Sequence, residues 1–154
     1  MRVLAFAALA LVLLGIRHVQ AATPALWISA GGYSVHFEPG HNGHNPGLLA
    51  EVAWSERQSF IAGAFRNSQA RRSHLLAATY TPAIARPAPD VIVKAGLLFG
   101  VVDGYRLNNG RPTPMAGLHG EVGTDRVRVA ATLFPPVSGV SSGALFLTLK
   151  VRLP

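Results

Sequence analysis

The segment LFLTLKVRL, residues 145–153, carries the clearest periodicity in the chain. Its odd-numbered positions hold only Leu and Val, whereas its even-numbered positions hold Phe, Thr, Lys and Arg. Successive side chains of a β-strand point to opposite faces, so this period of two predicts a strand with one apolar face and one face that bears two cations. A helix would mix the two sets.

Similar segments recur along the chain, separated by turns rich in Pro, Gly and Asn. No segment shows a sustained period of 3.6, so we expect almost no helix. Eight strands fit either a soluble sandwich or a closed barrel. The expected strands lie at 26–37, 48–54, 59–68, 73–81, 91–102, 114–122, 126–134 and 144–153.

Three features favour an all-β fold, an eight-stranded antiparallel up-and-down transmembrane β-barrel. The connections alternate between long and short, as external loops and periplasmic turns do in outer-membrane barrels. Trp27, Trp54 and Tyr80 fall on one predicted rim, where they would form an interfacial aromatic girdle. Ionic side chains also occur in mid-strand, where they can pair inside a lumen: Glu51, Lys94, Glu121, Arg128, Lys150 and Arg152.

Composition narrows the class of protein. Charged residues make up 14% of the 154 residues, against roughly 25% in an ordinary soluble domain. The absence of Cys excludes disulfides, thiolate metal sites and Cys nucleophiles. The net charge of +7 is spread along the chain without a basic block, so we expect no nucleic-acid partner.

The N-terminus has the pattern of an export signal. A short positive start precedes an apolar run at 3–15, which is too short to span a membrane as a helix. Val19 and Ala21 are the small residues that signal peptidase requires at −3 and −1. We therefore expect a signal peptide at 1–21 and a single β-barrel domain at 22–154, with an uncleaved anchor as the alternative. Cleavage would leave 12 basic and 7 acidic residues, a net charge of 12 − 7 = +5.

Two short motifs stand at the predicted ends of strands 1 and 3, Val35-His36-Phe37 and Ala64-Phe65-Arg66-Asn67-Ser68. Both resemble motifs of the lipid A palmitoyltransferase family of outer-membrane barrels. The final alternating strand follows the same family pattern. The family has an amphipathic helix before its first strand, and only four residues precede strand 1 here, so we expect no N-terminal amphipathic helix.

The resemblance implies an acyltransferase site at the outer rim, which moves an acyl chain from phospholipid to lipid A. His36 and Ser68 match the family's His and Ser, whereas Asn67 stands where the family has Asp. A His can deprotonate a Ser or an acceptor hydroxyl near neutral pH. Asn67 can orient that His but supplies no charge, which implies slow or altered chemistry. The alternative is that Asn67 and Ser68 are ordinary turn residues.

Neighbouring cations extend the candidate site. Arg66, Arg71 and Arg72 surround Ser68 and are expected to bind lipid phosphates, with solubilising loop charges as the alternative. The expected partners are outer-membrane lipids, the location is the outer membrane, no cofactor is implied, and the chain is expected to be a monomer. Two other functions remain open: a non-catalytic structural or binding barrel of the outer membrane, and a periplasmic lipocalin-like or sandwich binding protein.

Two further groups of polar residues are interpreted as loop residues. His41 and His44 lie three apart in the first outer loop, but no third ligand is fixed by spacing, so no metal site is expected. Ser138, Ser141 and Ser142 lie in a Gly-Ser loop with no nearby base.

Overall fold

A computed structural model describes residues 24–106, 109–137 and 142–154. The expected signal peptide lies outside the described residues. The eight strands form one closed antiparallel barrel in which each strand pairs with its neighbours in sequence and β1 pairs with β8. The strands are β1 (Ala25–His36), β2 (His44–Ala53), β3 (Gln58–Arg66), β4 (Arg72–Ala88), β5 (Val91–Val102), β6 (Thr113–Gly123), β7 (Val127–Phe134) and β8 (Ala144–Arg152).

The all-β class, the strand number and the closed up-and-down topology are confirmed, and the sandwich alternative is wrong because the sheet closes on itself. One end of the barrel, the loop rim, carries the connections 37–43, 67–71, 103–112 and 135–143. The opposite end, the turn rim, carries the shorter connections 54–57, 89–90 and 124–126.

Strand β4 differs most from the sequence prediction, because residues 82–88 are strand where a connection was expected. The extension pairs with β5 beyond the point where the β3–β4 ladder ends, at Tyr80. Its register shifts twice, between Tyr80 and Ala83 and again between Ala85 and Ala88. Pro82 and Pro87 lie in those two shifts. A bulge tolerates proline because the bulged residue gives no hydrogen bond to the ladder.

The outward face of the barrel is apolar along its whole height. Large exposed side chains come from every strand, and Leu48, Leu76, Leu118 and Leu149 are each more than half exposed. The inward face carries the buried polar and charged residues together with a smaller apolar cluster. This distribution is the reverse of a soluble globular protein, in which apolar side chains are buried and polar ones meet water.

In β1, the inward-facing residues are odd-numbered before Gly31 and even-numbered after it. Both ladders of β1 shift register near this residue, whose φ is +79° and whose added Cβ would lie 2.3 Å from the Asn45 carbonyl oxygen. Before the shift, Trp27 points into the lumen and is 2% exposed. The prediction of Trp27 in an aromatic girdle is therefore wrong. After the shift the even-numbered Ser34 and His36 turn inward and Tyr33 points outward.

The half of the lumen near the turn rim contains an ion-pair network. Lys150 Nζ lies 2.7 Å from a Glu51 carboxylate oxygen and 2.6 Å from a Glu121 carboxylate oxygen. Arg128 donates to the second oxygen of Glu121 at 3.1 Å. The Trp27 ring covers both cations, with the Arg128 guanidinium 4.4 Å from its centroid. These contacts confirm the predicted lumen pairing for Glu51, Glu121, Arg128 and Lys150. Lys94 donates to the Glu56 carbonyl instead, and the prediction is wrong for Arg152, which is exposed where β8 ends at the turn rim.

The half of the lumen near the loop rim is apolar. Leu49, Ile61, Leu75, Ala77 and Leu98 form a buried cluster. Partly buried side chains from the strand ends close to the loops pack against it: Phe65, Val102, Met115, Phe134 and Phe146. The barrel therefore has an ionic half below an apolar half, and the loop rim covers the apolar half.

Candidate functional site

Asn45 ties three strands together at the loop rim. Its side chain is 1% exposed, accepts a hydrogen bond from the Ser34 hydroxyl at 2.5 Å and donates to the Arg66 carbonyl at 3.0 Å. These bonds link β1, β2 and β3 where the first two connections leave the barrel. They hold Ser34, which precedes the motif of His36, and Arg66, which lies within the motif of Ser68.

Asn67 holds the connection between β3 and β4. Its side-chain oxygen accepts from the Gln69 and Arg71 amides at 2.9 and 3.1 Å, and its amide nitrogen donates to Ser73 Oγ at 2.9 Å. Asn67 is 0% exposed. The same turn contains Ala70 with a φ of 59°, a left-handed conformation that is costly for a residue with a Cβ. Asn67 therefore stabilises a strained turn, and none of its hydrogen bonds orients His36.

Ser68 is buried and hydrogen-bonds to other loops. Its carbonyl accepts from the Asn42 amide at 3.0 Å, and its hydroxyl bonds to the Tyr105 side chain. Burial raises the pKa of Tyr105 above its usual value, and the Ser68 hydroxyl partly offsets that rise. His36, Asn67 and Ser68 thus lie at one rim, but no hydrogen bond joins His36 to either of the others in the described part of the chain.

His36 is the last residue of β1, and its inward direction follows from the parity change at Gly31. Its Nε2 is buried and has no hydrogen-bond partner. The His36 and His41 ring centroids are 4.7 Å apart, so the first connection folds back over the end of its own strand. An imidazole nitrogen without a partner is free to accept a proton from a bound hydroxyl.

The loop rim is strongly cationic. It carries five arginines and two carboxylates, a net charge of 5 − 2 = +3. Arg66 and Arg72 face each other across the β3–β4 ladder, an arrangement that repels. No ion pair to a carboxylate is found for any of the five within residues 24–106, 109–137 and 142–154: Arg66, Arg71, Arg72, Arg106 and Arg111.

The sheet is incompletely hydrogen-bonded between β6 and β7. The ladder runs only from Leu118 to Gly123 on β6, so residues 113–117 have no partner residue on β7 in the described part of the chain. The cause is that β7 ends at Phe134 and is followed by Pro135 and Pro136, which cannot donate a ladder hydrogen bond. This gap lies on the loop-rim side, beside Met115 and Phe134 of the apolar half.

Two features of the loop rim were absent from the sequence prediction. Asp103 binds both the backbone amide and the Nδ1 of His74, at 2.6 and 3.0 Å. The hydrogen bond from the His74 backbone amide, and to a smaller extent the one with the His74 ring, lower the pKa of Asp103 below its usual value. The Asp103 carbonyl also accepts from the Ser73 hydroxyl at 2.5 Å. No sequence pattern reveals these contacts, because the partners lie about thirty positions apart.

Comparison with protein-family models and with curated proteins finds no match to this chain. No group of three or more metal-ligating side chains converges within the described residues. No described helix is long and apolar enough to cross a membrane. Ser138 and Ser141 of the Gly-Ser loop lie outside the described residues.

Proposed function

We propose that this chain is an outer-membrane barrel that moves an acyl chain from a phospholipid to lipid A at its loop rim. The observation that carries the proposal is the unpartnered basic nitrogen of His36, which lies at the junction between a cationic rim and an apolar lumen. Acyl transfer between lipids needs a base, a site for phosphate and a dry site for hydrocarbon.

Membrane insertion is supported by the two faces of the sheet. An apolar outer face and an ionic, internally paired lumen are typical of transmembrane barrels. A soluble lipocalin-like barrel would need a polar outer face and an open lumen, whereas Lys150, Glu121 and Arg128 fill this one near the turn rim. With this inside-out arrangement, the loop rim corresponds to the external end.

Substrate binding is supported by the rim arginines and the gap in the sheet. Guanidinium groups bind phosphate in charge-assisted, bidentate pairs, and the repulsion between Arg66 and Arg72 is relieved by a bound anion. A hydrocarbon chain in the membrane reaches the apolar half of the lumen through the unpaired edge at 113–117. Headgroup and chain would then meet close to His36.

Within this proposal His36 acts as general base on the acceptor hydroxyl. Ser68 is an unsuitable partner because its hydroxyl already bonds to Tyr105. Membranes that carry the wild type and His36→Ala would be compared by mass spectrometry of lipid A. We expect an added acyl chain with the wild type and its loss with His36→Ala, while heat-modifiable gel migration shows an intact barrel for both. Full acyl addition by His36→Ala would reject this role.

One observation favours a non-catalytic barrel of the same fold. Within the described part of the chain, the three hydrogen bonds of the Asn67 side chain go to its own turn and to Ser73, so this position serves the loop structure and not a catalytic group. If wild-type membranes show no acyl addition to lipid A, a structural or lipid-binding barrel becomes the better assignment.

A further inference from the structure

A second serine of the loop rim, in the connection that ends at β8, lies beside a histidine. Ser142 Oγ is 3.5 Å from His41 Nε2, although the two residues are 101 positions apart in sequence. The interpretation of Ser142 as a serine with no base close to it is therefore wrong. Within the described part of the chain, no other serine hydroxyl contacts a loop-rim imidazole. The Ser68 hydroxyl bonds to Tyr105 instead.

Backbone contacts hold this pair in place. The Phe37 amide donates to the Gly143 carbonyl at 3.3 Å, so the chain immediately after His36 is bonded to the chain immediately after Ser142. Gly143 has a φ of +76°, and an added Cβ would lie 2.6 Å from the Phe37 ring. A sharp glycine turn packed on Phe37 presents the preceding Ser142 side chain toward the first connection. The His36–His41 stack then fixes the other partner.

We propose that Ser142 is a nucleophile and His41 its base, so that the chain forms an acyl-serine intermediate. The inference rests on the proposed acyl transfer for its natural substrate. Ser142 Oγ attacks the phospholipid ester carbonyl, and its proton passes to His41 Nε2. The ester C–O bond breaks, and the leaving alkoxide of the lysophospholipid takes that proton.

The second half of the reaction restores the enzyme. The acceptor hydroxyl loses its proton to His36 and attacks the acyl-serine carbonyl. The bond to Ser142 Oγ breaks, and the released serine oxygen is reprotonated by the His36 imidazolium. His41 thus serves the first half-reaction and His36 the second, at the same acyl carbonyl. Both act there because their ring centroids are only 4.7 Å apart.

A fluorophosphonate probe tests the nucleophile without lipid A. The folded barrel would be treated with the probe, and the labelled peptide identified by mass spectrometry. Ser142 Oγ would displace fluoride and form a stable phosphonate ester. We expect labelling at Ser142, its loss in Ser142→Ala, and a labelling rate lower by about 10²-fold or more in His41→Gln, since general-base assistance is typically of that size. His44→Gln, at the first residue of β2 and three positions from His41, is the matched control and should label normally.

Three results would overturn the inference: labelling lost in Ser68→Ala and kept in Ser142→Ala, an equal labelling rate in His41→Gln and His44→Gln, or no labelling of the folded wild type. Failure of the proposed lipid A activity is a separate outcome. Labelling at Ser142 in a protein that leaves lipid A unchanged would support the nucleophile and reject lipid A as its acceptor.

Discussion

At the scale of single residues, the loop rim contains two kinds of polar side chain: those whose hydrogen bonds hold the loops, and those left free to react. Asn45 and Asn67 are almost fully buried and use their amides to bind backbone and hydroxyl groups. His36 is the opposite case, because its Nε2 is buried without a partner. A buried polar atom without a hydrogen bond costs stability, so its retention points to a ligand or a proton transfer.

The structural role of Asn67 can be measured directly. Asn67→Ala removes the acceptor for two backbone amides and the donor to Ser73, and it leaves these groups buried. We expect the free energy of unfolding in a urea titration to fall by about 1–3 kcal/mol. Asn67→Asp keeps the acceptor and should lose less. An unchanged value for Asn67→Ala would show that the turn is held by other contacts.

At the scale of the strands, the alternation of the sequence predicts which side chains face inward where the ladder is regular. It does not predict them where a bulge shifts the register. In β8, Leu149 is exposed and Lys150 is buried as predicted, whereas Arg152, expected on the lumen face, is exposed. Strand β1 shows why other faces were missed. In a regular strand, Trp27 and Tyr33 would lie on the same face. The register shift at Gly31 places Trp27 inside the barrel and Tyr33 outside. Strand β4 is longer than the sequence predicts because the β4–β5 ladder accommodates Pro82 and Pro87 at register shifts.

The site was predicted only in part for the same reason. Topology alone brings His36 and Ser68 to one rim, because strands β1 and β3 both end there. The partners of Ser68, Asn67 and Ser142 depend on how four connections pack against one another. Those contacts are long-range in sequence and leave no periodic signal.

The outward face of β8 provides a test of membrane insertion. Leu149 is 57% exposed within the strand, and Leu153 follows the strand at the turn rim. For protein refolded into lipid vesicles, we expect Leu149→Arg to lower the free energy of unfolding by about 2–4 kcal/mol, and Leu153→Arg by about 0–1 kcal/mol, because the cost of a lipid-facing cation falls toward the interface. Equal costs at the two depths would contradict a lipid-facing strand.

At the scale of the whole molecule, the two halves of the lumen perform different tasks. The ionic half links β2, β6, β7 and β8 across the barrel through Glu51, Glu121, Arg128 and Lys150. The apolar half makes only packing contacts and adjoins the incomplete ladder between β6 and β7. Ion pairs thus cross-link the barrel near the turn rim, whereas the gap in the β6–β7 ladder lies near the loop rim, where the proposed substrates enter.

Glu121 should therefore contribute more to stability than any other lumen carboxylate. It contacts Lys150, Arg128 and His119, whereas Glu51 contacts only Lys150 among the described partners, and Lys150 would still be paired with Glu121 if Glu51 were lost. We expect Glu121→Gln to lower the free energy of unfolding by about 3–5 kcal/mol, because the buried Arg128 would keep only the exposed Asp125, at 3.5 Å, and Lys150 would keep only Glu51.

Glu51→Gln is the matched control, since it removes one carboxylate from the same network and leaves each cation a partner. Its cost in the same urea titration should be clearly smaller than that of Glu121→Gln. Equal losses would mean that the two carboxylates share the cations evenly and that the network has no central member. A loss larger for Glu51→Gln would place the centre of the network between β2 and β8.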